Sequence, residues 1–128
     1  MKLLRLILVF LVSTACVQAK LSVKVDKATT TGKKSVIKLT MKNTFAEKIA
    51  SARATLFLIN DEGKVVGQAT QWVIGGMKEK PGLAPDASTT FNFVVTSDKP
   101  FTKTKLVFTR IVLEGGKSAD PKDVEVSE

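Results

Sequence analysis

Beyond residue 19 the chain reads as short runs of alternating apolar and polar residues separated by polar turns. Residues 21–25 (LSVKV) put Leu21, Val23 and Val25 on one face, the two-residue period of a half-buried strand. Residues 36–42 repeat it, with Ile37, Leu39 and Met41 inward and Lys38, Thr40 and Lys42 outward. The run 52–59 is apolar on both faces toward its end, as in a central strand covered on two sides. After a corner at Asn60-Asp61-Glu62-Gly63, residues 64–74 return as the partner strand, and Gly67 within them marks a bulge or a close contact. Residues 88–96 turn Phe91, Phe93 and Val95 one way, and 104–113 form a last strand. Six strands at short spacing, with no helical period and no parallel crossover, predict an all-β antiparallel sandwich of about six or seven strands. Phe57, Trp72, Phe91, Phe93 and Phe108 are its core candidates. Residues 118–128 are polar and acidic and read as a disordered tail, which leaves 20–117 as the folded domain.

Residues 1–19 read as an N-terminal signal peptide. Lys2 and Arg5 give the positive start, residues 6–12 (LILVFLV) a short apolar centre, and Val17-Gln18-Ala19 the small residues of a cleavage site. A bilayer span needs about 20 apolar residues, and no run in the chain comes close. The protein is therefore expected to be exported, periplasmic or extracellular, with no transmembrane segment. Cys16, the single cysteine, follows Ser13-Thr14-Ala15. A lipid anchor there is the lesser alternative, since lipoprotein signals usually place Leu where Ser13 stands. Cleavage after Ala19 removes Cys16 and leaves no thiol for a disulfide or a nucleophile.

Without Lys2 and Arg5, 18 of the 20 basic side chains remain against 12 acidic ones, a net charge of +6. The cations are spread along the chain rather than held in a block, as on any lysine-rich soluble surface. They also suit attraction to a polyanion, which for an exported protein means envelope phosphates or acidic polysaccharides and not nucleic acid. The chain has no histidine and no tyrosine, so the usual general base, phenol acid and common zinc ligand are missing. No catalytic residue, metal site or cofactor is expected, and the protein is read as no enzyme.

The features from residue 36 to 113 resemble, in order, the FxLYD domains, small immunoglobulin-like modules of secreted or surface bacterial proteins. Lys42-Asn43-Thr44 is similar to their Asn-ended strand, and Phe57-Leu58-Ile59-Asn60-Asp61 stands where the namesake motif falls. Asp61-Glu62-Gly63-Lys64-Val65-Val66 looks like their turn, and residues 83–91 (LAPDASTTF) like their last conserved stretch. The departures are Ile59 for Leu, Asn60 for Tyr and Asp86 for Gly. The resemblance implies an immunoglobulin-like fold and export, and no catalytic residue. A second likeness, to a bacterial proteinase-inhibitor domain of the same fold class, rests on Asp61, Gly63, Val66 and Trp72.

Four residues are candidates for partner binding. Asp61 sits in the acidic corner, which also serves simply as a bend. Trp72 is either a packed residue or a stacking platform. Lys78 and Lys80 lie in the longest irregular stretch, 75–87, and a loop of that length is functional or mobile. The expected function is an exported, non-catalytic binding or accessory module of the cell envelope, contacting a protein or a polyanion. The alternatives are a secreted protease inhibitor and a structural accessory of an envelope complex. Oligomeric state is not legible.

Overall fold

Each alternating run forms a strand in the computed structural model, which describes residues 20–77 and 80–127. The strands are β1 (Leu21–Val25), β2 (Thr29–Thr31), β3 (Lys34–Asn43), β4 (Ile49–Ile59), β5 (Val65–Gly75), β6 (Ser88–Thr96), β7 (Lys103–Leu113), β8 (Ser118–Ala119) and β9 (Val124–Ser127). In one sheet β3 is central, with β6 along one side and β1 and β2 sharing the other, and β9 continues beyond β1. The second sheet runs β5-β4-β7-β8. All pairs are antiparallel except β1 with β9, which is parallel.

The two sheets pack face to face in a sandwich-like body. Leu21, Ile37, Leu39, Met41, Phe93 and Val95 from the β3 sheet meet Ala52, Ala54, Leu56, Leu58, Phe108 and Ile111 from the β4 sheet, all buried. The small Ala52 and Ala54 lie within the same core cluster as Phe93 and Phe108, large against small, which is how interiors reach close packing. Asn43 closes one end of this core. Its buried amide donates to the carbonyls of Glu47 (3.0 Å) and Leu83 (2.9 Å) and accepts from the Phe45 N–H (2.8 Å), so a polar group with no exposure keeps its partners.

Four expectations need correction. The tail is no disordered extension: β8 pairs with β7, a 3-10 turn at Pro121–Asp123 is capped by Asp120, and β9 pairs with β1 from Leu21↔Val124 to Lys24↔Ser127. Val124 packs against the core there and offsets the ordering of an otherwise polar stretch. The parallel β1–β9 pair likewise departs from an all-antiparallel arrangement, and the folded region extends past 117 to 127. Nor is β4 covered on two sides, because Phe57 and Ile59 on its outer face are only half-buried. Phe93 and Phe108 lie in the core and Phe91 packs at its margin, whereas Phe57 and Trp72 are half-buried on the outer face of the β4 sheet, away from it. The signal peptide and Cys16 lie outside the described residues.

Candidate binding face

The outer surface of β4, β5 and β7 gathers exposed cations around half-buried apolar side chains. Arg53, Thr55, Phe57 and Ile59 point outward from β4. Opposite Arg53 stand Trp72 on one side and Arg110 on the other; opposite Phe57 stand Gln68 and Lys105; opposite Ile59 stand Val65 and Lys103. Arg53, Lys103, Lys105 and Arg110 are all exposed, and β4, β5 and β7 contain no acidic residue. None of the four joins an ion pair among the described residues, where the pairs are Lys20–Glu125, Lys33–Asp98 and Lys117–Glu47.

Arg53 is aimed by two bulges. Its neighbours each carry one extra residue beside it: Val73 on β5, between Trp72 and Ile74, and Thr109 on β7, between Phe108 and Arg110. A bulge re-aims the side chains on either side of it. Val73 and Ile74 are consequently buried in succession, while Thr109 and Arg110 are exposed in succession. Trp72 thus shares its face with Gln68 and Thr70 but not with Ile74, contrary to simple alternation.

The Arg53 guanidinium lies 5.5 Å from the centre of the Trp72 ring and its Nε donates to Thr109 Oγ1 at 3.3 Å. A cation over an aromatic face is favoured, modestly where water reaches it. On another side the ring rests against Gly76, whose φ is +77° and where an added Cβ would fall 2.3 Å from the indole. Only glycine meets both conditions. Next to this cluster, Thr55 and Thr70 share a 2.7 Å hydroxyl hydrogen bond across the strands.

Of the four sequence candidates, the structure brings two together. Lys80 donates through Nζ to the Trp72 carbonyl at 2.7 Å and lies 4.3 Å from the Phe91 ring centre. Phe91 in turn meets Phe93 edge-on, 5.3 Å between centroids. The loop that carries Lys80 is fixed by the Gly75 N–H donating to Pro81 (3.1 Å) and by the Ile49↔Leu83 bridge, with Leu83 buried. Lys78 lies outside the described residues. Asp61 is exposed at the other end of β5, in a corner that is a bend first: Asn60 Oδ1 accepts from the Glu62 and Lys64 N–H groups at 3.0 and 2.9 Å, and Gly63 takes φ +79°.

One end of the body also holds an open cleft of about 1110 Å³ between the turns that follow β1, β2 and β6. Lys24, Lys27, Lys33, Lys99 and Lys103 line it against Asp26 and Asp98. Lys103 belongs to both features and links the cleft to the outer face of the β4 sheet. Among the described residues no helix is long and apolar enough to cross a membrane.

Arg53, Lys103, Lys105 and Arg110 are absent from the sequence candidates. The signal was there in two breaks of the alternation, Val73-Ile74 and Thr109-Arg110, which mark the bulges that gather these side chains.

No protein-family model matches the chain, and no curated protein matches it. Solved structures do share its fold. IrmA from Escherichia coli aligns with a TM-score of 0.61 at 12% identity, over 87% of this chain and 93% of that one. A protein assigned as ApaA in Bordetella pertussis aligns with a TM-score of 0.56 at 16% identity, over 79% and 85%. The structural-genomics target SoR45 gives 0.52 at 13% identity, over 80% and 77%. At such identities the likeness is one of fold, and the chain is an all-β protein of two packed sheets similar to these three.

Proposed function

We propose that this chain is an exported binding module of immunoglobulin-like fold, without chemistry of its own, which grips an anionic component of the cell envelope through the outer face of β4, β5 and β7. The observation that carries the reading is the grouping of Arg53, Arg110, Lys103 and Lys105 around half-buried Trp72 and Phe57, on strands with no carboxylate. Cations unmatched by acids draw a polyanion over a distance set by salt. The aromatic and apolar residues between them give short-range contact that salt does not screen. Arginine beside a half-buried indole suits phosphate or carboxylate groups, because its planar fork bonds two oxygens at once.

The test is retention of the purified protein on isolated envelope across a salt series. Retention that falls steeply as salt rises supports the reading, since it tracks the number of cations engaged. Retention indifferent to salt replaces it with a protein partner held by apolar contacts. No retention at all sinks it and leaves the protease-inhibitor alternative, which incubation of the same protein with a set of proteases decides.

A further inference from the structure

Two long strands have an edge with no backbone partner among the described residues. β5 pairs only with β4, and β6 only with β3. They are also the long strands that carry no charge. A quarter of the chain is Asp, Glu, Lys or Arg, yet the eleven residues of β5 (VVGQATQWVIG) and the nine of β6 (STTFNFVVT) include none. Every other strand of four residues or more holds at least one, as with Lys24, Lys38, Arg53, Lys105 and Glu125. Free edges are normally guarded by lysine, proline or bulges, because their unpaired N–H and C=O groups invite another strand.

β5 has such a guard. It slips against β4 at two points, and the carbonyls of Val66 and Trp72 accept hydrogen bonds from Ser97 Oγ (3.0 Å) and Lys80 Nζ (2.7 Å). β6 is guarded only at its two ends, by Lys80 over Phe91 and by the approach of Gly67 to the Thr96 carbonyl; it pairs with β3 from Lys34↔Thr96 to Lys42↔Ser88 without a register shift and contains no proline.

We propose that β6 is a self-association edge, on which a second copy of this chain lays its own β6 antiparallel about a twofold axis. The unpaired backbone suits a strand as occupant. The missing charge selects a copy of the chain itself. An edge meant for a foreign acidic strand would, on a chain of net charge +8, carry cations toward it. A twofold axis instead sets residues near it against their own kind, so any lysine there would meet a lysine. Asn92 is the midpoint of β6, and an axis at Asn92 sets exposed Val94 of one copy against Thr90 of the other. The joined sheet would carry Lys38 and Lys42 of both copies on one surface and present two binding faces together, which raises avidity without a new contact. The association does not depend on what those faces bind.

Sedimentation equilibrium on the protein expressed from its full chain tests this, with Asn92→Asp as the variant. Asn92 is exposed and lies opposite Lys38, so an aspartate there suits the single chain while placing two carboxylates across the axis. The expected result is a dimer whose association weakens at least about tenfold in Asn92→Asp. Mixing Asn92→Asp with Asn92→Lys should restore it, and Gln71→Asp on β5 should leave it unchanged. Val94→Asp, on the same exposed row, repeats the test independently of Asn92. A wild-type protein that stays monomeric at every concentration overturns the proposal. So does a dimer that Asn92→Asp leaves intact, one that Gln71→Asp breaks, or a loss that mixing does not relieve.

Discussion

On the outside of the β3 sheet, Lys38 and Lys42 flank Thr40, and Ser22 and Lys24 continue the pattern on β1. Val36 and Val94, opposite each other on β3 and β6, are the apolar interruption. On the outside of the β4 sheet the corresponding positions hold Arg53, Phe57, Ile59, Trp72 and Val107 among lysines. Both sheets bury their inner faces in the same core, so packing alone does not require the difference. The β3 sheet turns mostly serine, threonine and lysine to water, whereas the β4 sheet groups apolar side chains beside arginines that join no ion pair among the described residues, which is the difference the proposed binding face rests on.

The strongest test is to remove one phenylalanine from the core and one from the outer face of the β4 sheet. Phe93→Ala empties a fully buried site and should cost about 4 kcal/mol in a urea titration. Phe57→Ala, on the outer face, should cost about 1 kcal/mol, since water already reaches the ring. Equal losses would mean that the outer face is covered like a core. Gly76→Ala comes next, at about 2 kcal/mol for its left-handed backbone. It must also push the indole of Trp72 aside, and because Trp72 is the single tryptophan, an unshifted emission spectrum would contradict that contact.

Charge removal then sharpens the contrast between the faces. Arg53→Ala with Arg110→Ala should weaken retention on envelope about tenfold at moderate salt and flatten its salt dependence by about two cations. Lys38→Ala with Lys42→Ala removes the same charge from the other sheet and should do less. If the two pairs act alike, the net charge and not the face is what binds. The smallest effect belongs to the Lys20–Glu125 pair, 2.9 Å apart, in which Glu125 is exposed. Lys20→Ala should change stability by no more than about 0.5 kcal/mol in the same titration.

The inner faces were legible because alternation reports them directly: Leu39, Met41, Phe93 and Val95 are buried where the two-residue period puts them. The arginine cluster was not, because Val73 and Thr109 shift the period by one just where Arg53, Trp72 and Arg110 converge. Lys80 was legible as a loop residue, but its seat over Phe91 depends on a loop that folds back on β5. The alternation of Val124 and Val126 is present in the sequence too. It passes for a polar tail because the strand that orders it lies at the opposite end of the chain, outside any local window.

That last pairing also sets an order of events. Lys20 and Glu125, joined beside the β1–β9 ladder, are 105 residues apart. Closing so long a loop costs entropy before the short ladder returns anything, so contacts of this kind form late and slowly. β1 has β3 on one side from nearby in the chain, but until residues 124–127 arrive its other side stays open. The chain passes through a stage in which it is folded over most of its described length and still able to pair with a stranger, and residues 124–127 end that exposure.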